Sequence, residues 1–123
     1  MLLFDAWNRG NASGTHFINN IFYADGRVTC DFGKSANTDF DSNIFYGAHV
    51  GTPADPHATT NRPPLLAPGT GAQGFDSPQG YTPRPEANFP RGQIVPDNGA
   101  HDIFSHPLPA NQPPAIGASE SSP

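Results

Sequence analysis

The first half of the chain sets short aromatic and aliphatic runs between polar turns, and it does so twice. Phe17-Ile18-Asn19-Asn20-Ile21-Phe22-Tyr23 recurs as Phe40-Asp41-Ser42-Asn43-Ile44-Phe45-Tyr46, with five of seven positions identical at an offset of 23 residues. A repeat period of about 20–50 residues is the signature of a solenoid. The runs are short, rich in aromatics and Ile, and flanked by Gly, Asn and Asp, which predicts strands rather than helices. A second pair of apolar segments, Leu2 to Trp7 and Arg27 to Phe32, precedes the two copies. Each repeat therefore reads strand, polar turn, strand. Turns are predicted at Asn8-Arg9-Gly10-Asn11 with Gly14 after it, at Asp25-Gly26, and at Gly33-Lys34-Ser35.

Strands of successive repeats stacked at about 4.8 Å place equivalent residues over one another. Phe17 is then expected over Phe40, Phe22 over Phe45 and Asn20 over Asn43. An asparagine at the bend has a physical purpose, because its amide can bond both the turn backbone and the next asparagine where the chain leaves the sheet. Phe17, Asn20, Phe22, Phe40, Asn43 and Phe45 form the expected inward, structural set. Ile21, Tyr23, Ile44 and Tyr46 are expected to face outward, beneath loops or a partner.

The pattern breaks after Gly47. Residues 48–118 carry most of the 15 Pro and 13 Gly, with isolated apolar anchors from Leu65-Leu66 to Ile116. Proline removes ladder donors and resists central strands. The expectation is an all-β chain: coils over residues 1–47, a Pro/Gly-rich closing segment over 48–118 with two or three short strands packed on them, and a disordered tail over 119–123.

Composition narrows the partners. The net charge is −5, and the 6 Lys and Arg do not cluster. A nucleic-acid surface needs a basic stripe and an anionic membrane needs basic residues, so both are disfavoured. Cys30 is the single cysteine, so no internal disulfide can form. It alternates with Val28 and Phe32 and reads as a small buried hydrophobe. Met1-Leu2-Leu3-Phe4-Asp5 lacks a basic n-region and does not read as a signal peptide.

The repeat and the tail together resemble the right-handed parallel β-helix proteins of the pectin-lyase-like superfamily, and in particular their C-terminal portion. Asn19-Asn20-Ile21-Phe22-Tyr23 is similar to the asparagine-turn coil of that fold. The tail supplies, in the family's order, Asp55-Pro56, Pro68-Gly69-Thr70-Gly71, Gly74-Phe75-Asp76-Ser77, Gly80-Tyr81, Asp97-Asn98-Gly99, Asp102-Ile103-Phe104, Pro107-Leu108-Pro109 and Pro114-Ala115-Ile116-Gly117-Ala118-Ser119-Glu120. Glu86-Ala87-Asn88-Phe89-Pro90 and Ser105-His106 depart from it. The resemblance implies a short right-handed parallel β-helix of about two to three coils. It also implies a carbohydrate-active parent protein, a polysaccharide lyase or glycoside hydrolase, placed outside the cell or on its surface. Catalytic residues in such enzymes usually sit on central coils.

Several residues are candidates for chemistry. In lyases of this fold stacked carboxylates hold Ca²⁺, which makes Asp25 and Asp31 candidate ligands, with Asp39 and Asp41 the candidate catalytic carboxylates. Aspartates at turns more often cap loops. His49 and His57 fall on one loop and are candidates for a transition metal, although none of the five histidines has zinc-motif spacing. Trp7, Tyr23 and Tyr46 offer flat faces for sugar rings, against the commoner role of packing under loops.

Three functions stay open: part of a polysaccharide-cleaving enzyme, a non-catalytic module that binds poly- or oligosaccharide, and a structural, self-assembling solenoid piece. Two coils are fewer than the three or so that a solenoid needs to bury its core. The first coil would leave an unpaired edge. The expectation is an upstream continuation or, for the short chain alone, a homo-oligomer.

Overall fold

The computed structural model describes residues 2–3, 10–70, 78–85 and 87–120. Five strands occur among them: β1 (Leu2–Leu3), β2 (His16–Ile18), β3 (Ile21–Asp31), β4 (Asp39–Asp41) and β5 (Ile44–Val50). A single 3-10 turn spans Pro78–Tyr81, and no α-helix is present among the described residues. The chain is all-β. It divides into two compact units, Met1–Arg62 and Pro63–Pro123.

The first unit holds two small open sheets, one in the order β1-β3-β5 and one pairing β2 with β4. All the strand pairs are parallel, and the repeat sets their register: Phe17 lies against Phe40, Ile21 against Ile44, Phe22 against Phe45 and Tyr23 against Tyr46. The phenylalanines stack as expected. Phe17 and Phe40 rings lie 4.6 Å apart at 11°, and Phe22 and Phe45 lie 4.8 Å apart at 13°. Phe32 meets Phe40 edge-on at 5.4 Å. Phe40 and Phe45 are buried, and Phe17 and Phe22 are half-buried. Cys30 is buried too, and that burial pushes its thiol above its ordinary pKa.

The bend between the sheets is made the same way in both copies. Asn19 and Ser42, equivalent positions of the repeat, both adopt a left-handed backbone, with φ of 59° and 57°. The asparagine that follows is then turned inward. The Asn20 backbone N–H and side-chain amide both donate to Asn43 Oδ1, at 2.8 and 3.1 Å. Asn20 Nδ2 also reaches its own turn at Ile18 O, and Asn43 Nδ2 donates to Phe17 O.

Three expectations need correction. Asp25-Gly26 is not a turn: it lies inside β3, where the register shifts between Tyr23 and Arg27. The first copy passes this point through Ala24, Asp25 and Gly26, and the second through Gly47 alone, so a locally irregular strand replaces the turn. Ile44, expected beneath a loop or a partner, is fully buried, and the chain at Thr59 pairs alongside it. The closing half, Pro63 onward, forms no named strand among its described residues. Leu65–Pro83, Arg91–Ala115 and His101–Pro107 make only isolated antiparallel bridges, because the prolines interrupt any longer ladder. Finally, Ser119 and Glu120 are buried and hydrogen-bonded rather than part of a disordered tail. β5 itself runs on to Val50, past the break in the sequence pattern at Gly47.

Candidate functional site

The outward face of β3 and β5 follows from strand alternation. With Phe22 and Phe45 turned inward, Tyr23 and Tyr46 stand on the opposite face. Their rings lie 4.8 Å apart and are tilted by 46°, so they form a stepped aromatic surface rather than one plane. The Arg62 guanidinium stands 5.9 Å from the centre of the Tyr46 ring. A side-chain hydrogen bond with Tyr23, and the charges of Tyr23, Tyr46 and Asp25, hold its pKa above the ordinary value. Two half-buried aromatic rings and an exposed guanidinium thus lie side by side. Arg62 escaped the sequence reading because it lies well beyond Tyr46, in a stretch with no motif around it. Trp7 lies outside the described residues.

The sheet of β2 and β4 carries the candidate catalytic carboxylates. Phe40 is buried between them, which leaves Asp39 and Asp41 on the outward face, about 6.6 Å apart along the strand by strand rise alone. Each carboxylate is already engaged. His16 Nδ1 lies 3.2 Å from Asp39, its neighbour across the ladder, and His57 Nδ1 lies 2.7 Å from Asp41. Ser42 Oγ also donates to Asp41.

The metal candidates are not brought together. Asp31 caps the next turn by accepting the Gly33 N–H, and Asp25 is exposed on β3. His57 is held by Asp41. His49 turns back over the core: its ring meets Phe45 edge-on at 5.7 Å, and its Nε2 lies 3.1 Å from both Phe22 O and Tyr46 O. Two carbonyl acceptors require Nε2 to carry the proton. His49 Nδ1 is left buried and without a hydrogen-bond partner. Among the described residues, no three His, Cys, Asp or Glu side chains are grouped to hold a metal ion, so these residues do not fit a Ca²⁺ or Zn²⁺ centre.

Two carboxylates that sequence reasoning passed over organise their surroundings more strongly than any of these. Asp55 accepts hydrogen bonds from the backbone N–H groups of Ser42, Asn43 and His57, each at 3.0 Å, and from Asn43 Nδ2 at 2.7 Å. In the second unit, Asp102 accepts from the N–H groups of Phe104, His106 and Glu120, from His106 Nδ1 at 3.0 Å, and from Ser119 Oγ. Burial raises the pKa of Asp102, but the bonds from Glu120, His106 and Phe104 outweigh it and bring the carboxyl down to about 2. Glu120, buried, bridges Arg91 and the Ala115 N–H. No periodic signal marks either hub. The partners of Asp102 range from nearby Phe104 to distant Glu120, with no regular spacing among them.

No family model, no curated protein and no solved structure matches the chain. No helix among the described residues is long and apolar enough to cross a membrane.

Proposed function

We propose that this chain is the closing part of a right-handed parallel β-helix from an extracellular carbohydrate-active protein, and that its own residues hold polysaccharide. Parallel pairing of two sequence copies at one constant offset supports the winding. Right-handed is the hand that nearly all parallel crossovers take. The stepped pair of Tyr23 and Tyr46, with Arg62 beside it, carries the binding reading. Aromatic faces match the apolar face of a sugar ring, and the guanidinium donors match its oxygens. Polysaccharide pull-down tests it, with Tyr23→Ala and Tyr46→Ala compared with the unaltered chain. Loss of retention in both variants supports the reading, and undiminished retention removes it.

A cleaving function is the second reading, and the placement of Asp39 and Asp41 favours it. The two positions lie two residues apart on one outward face of β4, and a pair of carboxylates is what acid–base cleavage of a glycosidic bond uses. Asp39→Asn and Asp41→Asn variants would then each abolish release of reducing ends from a polysaccharide while leaving retention intact.

A further inference from the structure

Asn98 is the one asparagine of the chain that a glycine follows. It lies in the second unit, in a stretch where Pro96, Asp97, Asn98, Gly99 and Ala100 are all exposed, so water reaches every residue of it. The backbone there is unusual. Asp97, Gly99 and Ala100 are all left-handed, with φ of 54°, 83° and 61°. Only the glycine takes that conformation without strain, so Asp97 and Ala100 are held in it by the turn.

The Asn98 side chain is bent forward along the chain. Its Oδ1 accepts the Ala100 N–H at 3.1 Å. That bond carries Cγ alongside the Asn98–Gly99 peptide and polarises the side-chain carbonyl. The far side of the peptide is equally accessible. Gly99 has no Cβ to crowd its own nitrogen, and a Cβ built there would meet nothing within 4 Å. Asn37, Asn61 and Asn111 are exposed too, but Thr38, Arg62 and Gln112 follow them, and each carries a side chain beside its nitrogen.

We propose that Asn98 is a self-modification site, at which the folded protein converts its own side-chain amide to a carboxylate through the Gly99 nitrogen, with water as the only co-reactant. Hydroxide takes the Gly99 N–H proton, and the nitrogen attacks Asn98 Cγ. A bond forms between Cγ and that nitrogen, the bond from Cγ to Nδ2 breaks, and Nδ2 leaves as ammonia with a proton from water, which restores the hydroxide. While Cγ is tetrahedral, the Ala100 N–H already placed on Oδ1 stabilises the negative oxygen. Water then opens the succinimide ring at either carbonyl. Opening at Cγ leaves aspartate in an unaltered main chain. Opening at the backbone carbonyl leaves isoaspartate, whose main chain runs through Cβ and Cγ and is longer by one carbon. Either product adds a negative charge beside Asp97. The longer chain also releases the left-handed turn just ahead of the Ala100 carbonyl, which accepts the Leu108 N–H at 2.8 Å, and of the His101–Pro107 bridge. The proposal rests on this turn alone and is independent of any glycan.

Incubation of the purified full-length chain in warm, mildly alkaline buffer tests it, with peptide mapping by mass spectrometry at intervals. The expected result is loss of the peptide that holds Asn98 in favour of two products, each heavier by the exchange of NH2 for OH. The minor one coelutes with the peptide of an Asn98→Asp variant, and the major one, isoaspartate, does not. Asn61 and Asn111 keep their amides. Asn98→Gln, whose longer side chain cannot close the same ring, stays a single species. The same chain unfolded in urea gives the rate without the turn, and the folded rate is expected to equal or exceed it. A folded rate severalfold below the unfolded one overturns the proposal, because the turn then protects the amide. So does a product that is aspartate alone, which would mean direct hydrolysis, and so does loss at Asn61 or Asn111 as fast as at Asn98.

Discussion

Asn20 and Asn43 sit 23 residues apart in sequence and in direct hydrogen-bond contact in space, with two donors of the first on one oxygen of the second. The downstream residue is the more committed of the two. Asn43 is fully buried, and its side chain joins Asn20, the Phe17 carbonyl and Asp55. Asn43→Ala strands all three partners, and a buried polar group without a partner costs about 1–3 kcal/mol. The variant is expected to lose about 3 kcal/mol in urea denaturation. Asn20→Ala, at the half-buried end, should lose less than half as much. Equal losses would mean that the contact acts as an isolated pair rather than a ladder.

Gly47 marks the place where the second copy takes a shorter path than the first. Its φ is 109°, and a Cβ there would lie 2.1 Å from the Ala24 carbonyl oxygen, a backbone atom that cannot swing away. Gly47→Ala is expected to destabilise the chain by about 2 kcal/mol or more, through strain at positive φ and the clash. Gly26→Ala, in the same irregular stretch but with nothing within 4 Å, is the control. It should be neutral or gain about 0.5 kcal/mol by restricting the unfolded chain. Chemical denaturation of the two variants side by side checks the pair.

The repeat made the register legible because each matched residue, Phe17 to Phe40 or Tyr23 to Tyr46, recurs at a constant offset that parallel pairing preserves. Whatever departs from that offset was not legible. Asp55 replaces a ladder asparagine well short of a full repeat beyond Asn43, so no alignment of the copies points to it. Asp25-Gly26 carries the composition of a turn, yet pairing on both sides of it holds the chain in one strand. Of the candidate site, strand alternation placed Tyr23 and Tyr46, but the nearby Arg62 comes from a loop whose path no local pattern encodes. Glu120 looked like tail because Ser and Pro surround it. Its burial depends on Arg91, far upstream in the chain, and that is a tertiary relationship.

The phenylalanine stack should show a gradient of cost along its length. Phe45→Ala removes a ring that is 2% exposed and is expected to cost about 3–5 kcal/mol, the range for a large side chain cut from a packed core. Phe17→Ala removes a half-buried ring and should cost about half as much. Thermal melts of the two variants check the order, and a larger loss for Phe17 would contradict the burial difference between the two rings.

Glu120 supplies a further test in the closing half. Its carboxylate is buried between the Arg91 guanidinium and the Ala115 N–H. Glu120→Ala leaves that N–H without an acceptor next to Ile116, which is 3% exposed. The expected loss is about 2 kcal/mol, most of it the desolvation of the stranded donor, since Arg91 is half exposed and can turn to water. Glu120→Gln keeps an oxygen for Ala115 and should recover part of the loss. A neutral Glu120→Ala variant in urea denaturation would show that the ion pair and the N–H contact stabilise nothing.

The pH dependence of the same half should be governed by Asp102. Burial raises its pKa, and the stronger effect of the N–H groups of Glu120, His106 and Phe104, with His106 Nδ1, brings it down to about 2, below the ordinary 3.8. A carboxylate whose folded pKa is depressed stabilises the fold above the unfolded value and loses that contribution as the pH falls through the folded one. The contribution is therefore full at neutral pH, begins to fall near pH 4 and is gone below about 2. Its size is about 2 kcal/mol, and the side chain is only 1% exposed, so salt should screen it little. Asp102→Asn keeps the shape but loses the negative charge and turns an amide toward N–H donors. It should be less stable than the unaltered chain at pH 7, with the gap closing between pH 4 and 2. Thermal denaturation of both proteins across that range checks it. Parallel pH profiles would show that the low pKa of Asp102 does not couple to folding.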